Sequence, residues 1–395
     1  MPQEHEPKIL GLPRNIFLLG IVSMVNDLSS QMVQSVMPVF ITQVLGAPVV
    51  VVGIIEGVAD AVASILKIVF GWISDQLNRR KLFAVTGYVL SLVTRPLLTL
   101  VTGWGQVFSL RVIDRVGKGM RDAPRDALIG ESTSPETISR SFGYHRMMDA
   151  IGGTAGPLIA FAFLPLVYYS YHSIFLIAFV LGLFAVFMFL FVKEVRRPET
   201  IAAPKFDLSL LRNNRRFVVF LISVFVFGLG ALPLPLIVLR APEVGLGAAS
   251  ATFFYFVSYF AFVLASIPFG QFADSFGKRK IVSIGFMFAL AAYALLITAN
   301  GFWSLLIPFI FIGFFNGATD GIQRAMVARL VGPEIRATGQ GFLNASIGIS
   351  ALLAGVIGGG LWTYVSSQAA FVYAATMSFA GLVLFLTLMN VSFRE

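Results

Sequence analysis

The chain has 395 residues, of which 57% are hydrophobic and only 12% charged, with a mean hydropathy of +0.84. Soluble domains carry about 45–50% apolar and about 25% charged residues, so this composition excludes an ordinary soluble enzyme or binding domain. The absence of cysteine excludes disulfides and thiolate metal sites, and the net charge of +9 reads as membrane topology rather than nucleic-acid binding.

Apolar runs of spanning length follow one another along the whole sequence. In chain order they cover about 15–44, 49–73, 82–101, 105–127, 141–165 and 172–193. A second set covers about 216–239, 249–272, 281–299, 302–328, 338–362 and 368–391. Each crosses about 30 Å of hydrocarbon at about 1.5 Å per residue. The first run is too long for a secretory h-region and lacks a small-residue cleavage pattern, so it is expected to be retained. The longest polar stretch starts at Lys193 and mixes both signs of charge with Pro198 and Pro204. It divides the sequence into an expected first bundle (1–192), a cytoplasmic linker (193–215) and a second bundle (216–395). A short interfacial helix is expected at 206–211.

Basic residues orient the spans. With both termini inside, Arg14, Arg79, Arg80, Lys81, Arg121, Arg125, Arg140, the 193–216 cluster, Lys278, Arg279, Lys280, Arg329 and Arg336 all fall on one side. The opposite loops hold essentially one, Arg240. That asymmetry predicts cytoplasmic termini, and a missed span would destroy it.

The two halves share a loop. Gly71, Asp75 and the basic triplet Arg79-Arg80-Lys81 return as Gly270, Asp274 and Lys278-Arg279-Lys280. Pro135-Glu136 and Gly143-Tyr144 return as Pro333-Glu334 and Gly341-Phe342 at nearly the same offset, and Arg125 returns as Arg324. Repeated matches at one offset point to duplication, a common origin of secondary transporters.

Gly71 to Lys81 resembles the loop signature of the major facilitator superfamily, usually written G-x-x-x-D-R-x-G-R-R/K. Gln76 and Asn78 depart from it in the first copy. Ser275 departs in the second, which keeps Gly277. The resemblance implies an all-α membrane protein, with twelve transmembrane helices in two six-helix bundles related by a pseudo-two-fold axis. It further implies a central cavity, alternating access and a functional monomer. In the fifth span Gly143, Gly152 and Gly156-Pro157 resemble the antiporter pattern of that superfamily's drug–proton exchangers, with Ala160 and Phe161 in place of the final glycine pair. Small residues permit close helix contact and proline invites a bend; ordinary tight packing is the alternative reading. The block from Arg111 to Asp126 loosely resembles the arginine–glycine motif of proton-coupled members, which implies an arginine facing the cavity. Gly117-Lys118-Gly119 lacks the pattern of a phosphate-binding loop.

An ionised residue at the centre of a span costs roughly 2.5–3.5 kcal/mol on insertion scales, so each should be paired, face a wet cavity or titrate. Asp27, beside Asn26 and followed by Ser29, Ser30 and Gln31, is the sharpest candidate for proton loading; a fixed hydrogen-bonded role is the alternative. Glu56 and Asp60 lie on one face of the second span, with Lys67 on roughly the same face. They are candidates to share a proton or attract a cation, or to pair with a base. Arg111, Asp114 and Arg115 share a face of the fourth span, with Asp114 expected to pair with one arginine. The other arginine is a candidate for an anionic substrate. Asp149 with Arg146, and Asp320 with Arg324, read as structural or gate pairs, and Asp149 is also a candidate for the proton-coupling cavity. Asp75, Arg79, Arg80, Asp274, Lys278 and Arg279 read as gate and topology elements. The Phe- and Tyr-rich stretch 217–262 reads as lipid-facing or packing surface. No histidine pattern supports a metal site, no nucleophile set supports an enzyme, and no cofactor is expected. The expected function is secondary active transport, foremost proton-coupled export of a small organic or amphipathic compound. The alternatives are uptake or facilitated passage of an anionic solute, using Arg95, Arg111 or Arg115, and export of a metal cation or chelate, using Asp27, Glu56 and Asp60. The expected partners are a small-molecule substrate, protons and the bilayer, in a prokaryotic plasma membrane; no nucleic acid is expected. If arginines outnumber carboxylates in the cavity, anions gain weight.

Overall fold

The computed structural model describes residues 8–9, 12–77, 79–133, 137–194, 214–331 and 335–392. The expected linker core at 195–213, with its interfacial helix, lies outside the described residues, as do Asn78, Pro135, Glu136, Pro333 and Glu334.

Among the described residues twelve long helices follow the apolar runs. They are α1 (Arg14–Val39), α2 (Val49–Leu77), α3 (Arg80–Leu97), α4 (Trp104–Glu131), α5 (Ile138–Leu166) and α6 (Tyr171–Phe189). Then come α7 (Arg215–Gly230), α8 (Ala248–Phe276), α9 (Lys278–Thr298), α10 (Phe302–Leu330), α11 (Arg336–Tyr364) and α12 (Ser367–Ser392). Among the described residues eleven helices are long and apolar enough to cross a membrane. The exception, α4, is 28 residues long but crowded with charge from Arg111 onward. In hydrocarbon only backbone with internal hydrogen bonds is tolerable, which is why the spans are helical.

Two local departures have physical causes. α1 passes Pro38 into a π-helical turn, Phe40–Val44. The run expected to be continuous over 216–239 breaks after Gly230, because Pro233 and Pro235 carry no N–H to continue the ladder. Two single turns, Leu234–Ile237 and Arg240–Glu243, replace it. The freed Leu232 N–H donates to Tyr293 Oη at 3.0 Å.

Contacts divide the chain into two units: Met1–Met37 with Val62–Ala203, and Pro38–Ala61 with Pro204–Glu395. In the first unit α3 and α4 cross backbone to backbone. A Cβ on Gly117 would stand 2.6 Å from Gly87 O, and a Cβ on Gly87 would stand 2.8 Å from Arg121 Cβ. α5 lies as close to α1, for a Cβ on Gly156 would meet Leu28 O and stand 2.9 Å from Gln31 Cβ. An apolar core gathers Ile16, Val22, Tyr88, Leu128 and Phe189.

The second unit has an aromatic core. Phe227 stacks on Phe286 at 3.6 Å, Phe254 on Phe309 at 4.8 Å, and Phe385 leans on Phe286 at 5.4 Å. Phe217, Phe220, Phe254 and Tyr255 are buried, while Phe260 is exposed, so the aromatic stretch serves packing as well as the outer face. The start of α2 belongs to this unit. Its Gly53 packs against Gly355 of α11, and Val50 N–H donates to Thr363 Oγ1 at 2.9 Å.

Candidate functional site

A polar cavity of about 50 Å³ lies within the first unit. α1 contributes Asp27, Ser30, Gln31, Val33 and Gln34; α3 and the turn after it contribute Thr94, Arg95 and Leu98. α4 contributes Leu110, Arg111, Asp114, Arg115, Lys118 and Arg121. The three- and four-residue spacings on α1 and α4 place these side chains on one stripe of each helix. Glycine lets neighbouring helices pack closely beside these stripes. Gly87 and Gly117 bring α3 onto α4, and Gly152 and Gly156 bring α5 onto α1 behind Asp27.

The cations are deeply buried but held. Arg95 is 3% exposed and donates to Asn26 Oδ1 at 3.2 Å, Ser30 Oγ at 2.9 Å and Ala178 O at 3.4 Å. Ser29 Oγ donates to the same Ala178 carbonyl. Arg121 donates to Ser91 Oγ at 2.8 Å and lies 4.8 Å over the Tyr88 ring, while Ser91 Oγ donates to Asp114 O at 3.0 Å. Arg115 donates to Gln34 Oε1 at 3.2 Å. Arg111 pairs with Asp114 at 3.4 Å, as the helix spacing predicts. Asp27 accepts from Asn26 Nδ2 at 3.3 Å. The wall therefore carries five cations (Arg95, Arg111, Arg115, Lys118 and Arg121) against two carboxylates, Asp27 and Asp114.

Asp149 is not part of this wall. Ser23 Oγ donates to it, His145 Nδ1 lies 3.5 Å away, and Arg125 donates to the same Ser23 at 3.3 Å. Arg146, its expected neighbour, is exposed. Glu56 is buried and Asp60 exposed, and both belong to the second unit. Of the three α5 glycines in the pattern, Gly143 faces open space, whereas Gly152 and Gly156 make the close approach to α1; the helix continues through Pro157.

The repeated loops differ in detail. In the first, Arg80 reaches Asp75 at 2.7 Å and Glu131 at 2.8 Å, and Arg79 is exposed. Glu194 accepts from the N–H groups of Arg80 and Lys81, at 3.0 and 2.9 Å, capping α3. In the second, Lys278 pairs with Asp274 at 3.1 Å on the surface, and Arg279 donates to Leu386 O at 2.6 Å. Sequence reasoning missed Glu131 altogether, and it placed Arg121 in the charged block of the fourth span without singling it out as a cavity residue. The three-to-four-residue stripe continuing from Arg111 was the available signal for Arg121.

The charged cavity is lined by α1 and α3, both long and apolar enough to cross a membrane, and by the charge-rich α4, an arrangement that fits a membrane transporter. A family model for the Major Facilitator Superfamily matches residues 19–258 and 219–394. The chain belongs to the major facilitator superfamily. An uncharacterized MFS-type transporter of Methanocaldococcus jannaschii is 30% identical over 97% of each chain. Multidrug resistance protein MdtH of Yersinia enterocolitica is 24% identical over 81% of this chain and 79% of its own. The nucleoside transporter NupG shares the fold, with a TM-score of 0.78 at 15% identity over 97% of this chain and 100% of that one.

Proposed function

We propose that this protein is a proton-coupled secondary transporter of a small organic solute, working by alternating access. Its halves are residues 1–192 and 216–395, joined by a cytoplasmic linker. It acts as a monomer in a prokaryotic plasma membrane with both termini inside. The supporting observation is Asp27. It is a carboxylate within a membrane span, in the wall of a polar cavity, and its hydrogen bond from neutral Asn26 is long at 3.3 Å. Ionisable groups so placed commonly carry protons in pumps and transporters. Export is the reading favoured by the glycine pattern of α5 and by the multidrug resistance protein among its relatives. A second reading, transport of an anionic solute, is favoured by the excess of cations in the wall.

The test is transport in proteoliposomes under an imposed pH gradient, with a mixed panel of metabolites and drugs. Asp27→Asn should abolish gradient-driven accumulation of the solute that wild type moves. Unchanged accumulation in that variant would remove Asp27 from the coupling step.

A further inference from the structure

We propose that Asn26 is a positioning residue for the proton step: Arg95 turns its side-chain amide so that an N–H faces Asp27, and that N–H favours release of the proton. This rests on the reading of Asp27 as the proton carrier, and it adds a residue that stands outside the cavity lining.

The hydrogen bonds leave the amide one orientation. Asn26 is 3% exposed; its Oδ1 accepts from Arg95 Nη2 at 3.2 Å and its Nδ2 donates to Asp27 Oδ1 at 3.3 Å. A guanidinium carries donors and no acceptor, so the amide oxygen must face Arg95 and the NH2 group must face Asp27. The guanidinium is itself fixed from two helices. Its Nη2 also donates to Ser30 Oγ of α1 at 2.9 Å, and its Nη1 donates to Ala178 O of α6 at 3.4 Å. Gly182, one turn further along α6, makes the room, since a Cβ there would overlap Nη1. A chain of hydrogen bonds thus runs from α6 through Arg95 on α3 and Asn26 to the carboxyl group of Asp27.

The sign follows from the donor. An amide N–H bonds more strongly to a carboxylate than to a carboxylic acid, so it favours the ionised form. The proton is therefore released more readily while Arg95 holds the amide, and a state in which α3 or α6 draws Arg95 away would keep it longer. The other charged and titratable groups acting on Asp27 come from every neighbouring element. They are Arg95 itself and Tyr88 on α3, Lys118, Arg121 and Arg125 on α4, and Asp149 on α5. These act through space and require no particular orientation of the amide, so the two routes from Arg95 to Asp27 can be told apart.

The experiment is a pH titration of the purified full-length protein by infrared difference spectroscopy. It reads the C=O stretch of a protonated carboxylic acid and needs no transported solute. The titrating band that Asp27→Asn removes belongs to Asp27. Asn26→Leu should raise the midpoint of that band by about half a pH unit or more, roughly a threefold gain in proton affinity. Arg95→Gln should also raise it, and this rise should shrink by at least half when Asn26→Leu is already present, because the guanidinium acts through the amide. Gly182→Ala should raise it as well, since the guanidinium is the flexible end that gives way. That variant leaves α1 intact and keeps the proposal testable if Asn26→Leu does not fold. A midpoint unmoved or lowered in folded Asn26→Leu, or in Gly182→Ala where the former does not fold, overturns the proposal and leaves Asp27 as the proton carrier. Equal shifts from Arg95→Gln with and without Asn26→Leu overturn it in the same way. If Asp27→Asn removes no titrating band, the reading of Asp27 as proton carrier falls, and this inference with it.

Discussion

Arg80 offers the sharpest test of the energetics. Its side chain is 4% exposed and bridges two carboxylates of unequal burial: Glu131, 7% exposed, and Asp75, 43% exposed. Removing one partner of a buried ion pair costs about 3–5 kcal/mol, because the remaining charge is left in a poor solvent. An exposed pair contributes about 0–1 kcal/mol. Arg80→Ala should therefore destabilise the first unit by about 3–5 kcal/mol and Asp75→Ala by no more than about 1. Glu131→Ala should fall between them, since Arg80 keeps Asp75. Arg80→Lys should be intermediate as well, because one ammonium cannot reproduce a fork that reaches two carboxylates at 2.7 and 2.8 Å. At roughly 2–4 °C per kcal/mol for a unit of this size, Arg80→Ala should lower the melting temperature by about 6–20 °C. The assay is thermal unfolding in one detergent followed by tryptophan fluorescence, to which Trp72 and Trp104 report from the first unit. The reasoning fails if Asp75→Ala is as damaging as Arg80→Ala, or if the latter melts within about 2 °C of wild type.

Two further outcomes follow from packing and burial. Gly156→Leu should separate α5 from α1, since its Cβ would meet the Leu28 carbonyl, at an overpacking cost of about 1–3 kcal/mol. Gly143→Ala, in open space, should melt like wild type; equal losses in the two variants would show that the α5 glycines act by something other than contact. In the second unit Arg240 is 3% exposed and donates to Ser367, Ala299 O, Asn300 and Glu243 at 2.9–3.2 Å. Arg240→Ala should cost at least the roughly 1.5–3 kcal/mol of a charged hydrogen bond, whereas Arg324→Ala, whose partner is on the surface, should cost about 0–1. Similar melting temperatures for these two would contradict that ranking.

Much of the architecture was legible because hydrocarbon leaves so few options. A long apolar run can only be a helix there, so span positions followed from composition. The Arg111–Asp114 pair followed from helix geometry, and Asp27 stood out because a lone carboxylate in such a run demands a reason. What the sequence hid is whatever depends on two distant segments meeting. Hydropathy carried the seventh span through Pro233 and Pro235, although these residues end α7 at Gly230. It also offered no sign that the tip 38–61 clusters with the second unit, since a continuous helix gives no signal where its contacts change. The balance of charge in the cavity was likewise hidden, because it required knowing that Arg95 of α3 faces the stripe of α4.

The repeated loop makes the same point more strictly. Its two copies match in glycine, aspartate and basic triplet, and a sequence comparison assigns them one role. Their energetics differ because their partners come from elsewhere. Arg80 is drawn inward by Glu131 at the far end of α4, making a buried bridge in which a single substitution is costly. At the equivalent level of the second copy, Arg279 donates to a backbone carbonyl of α12, and the motif's aspartate pairs at the surface with Lys278. A carbonyl left behind by Arg279→Ala is a lesser loss than an uncompensated buried carboxylate. The pattern of the loop thus recurs in both halves, while the surroundings of the first copy make it the stronger anchor.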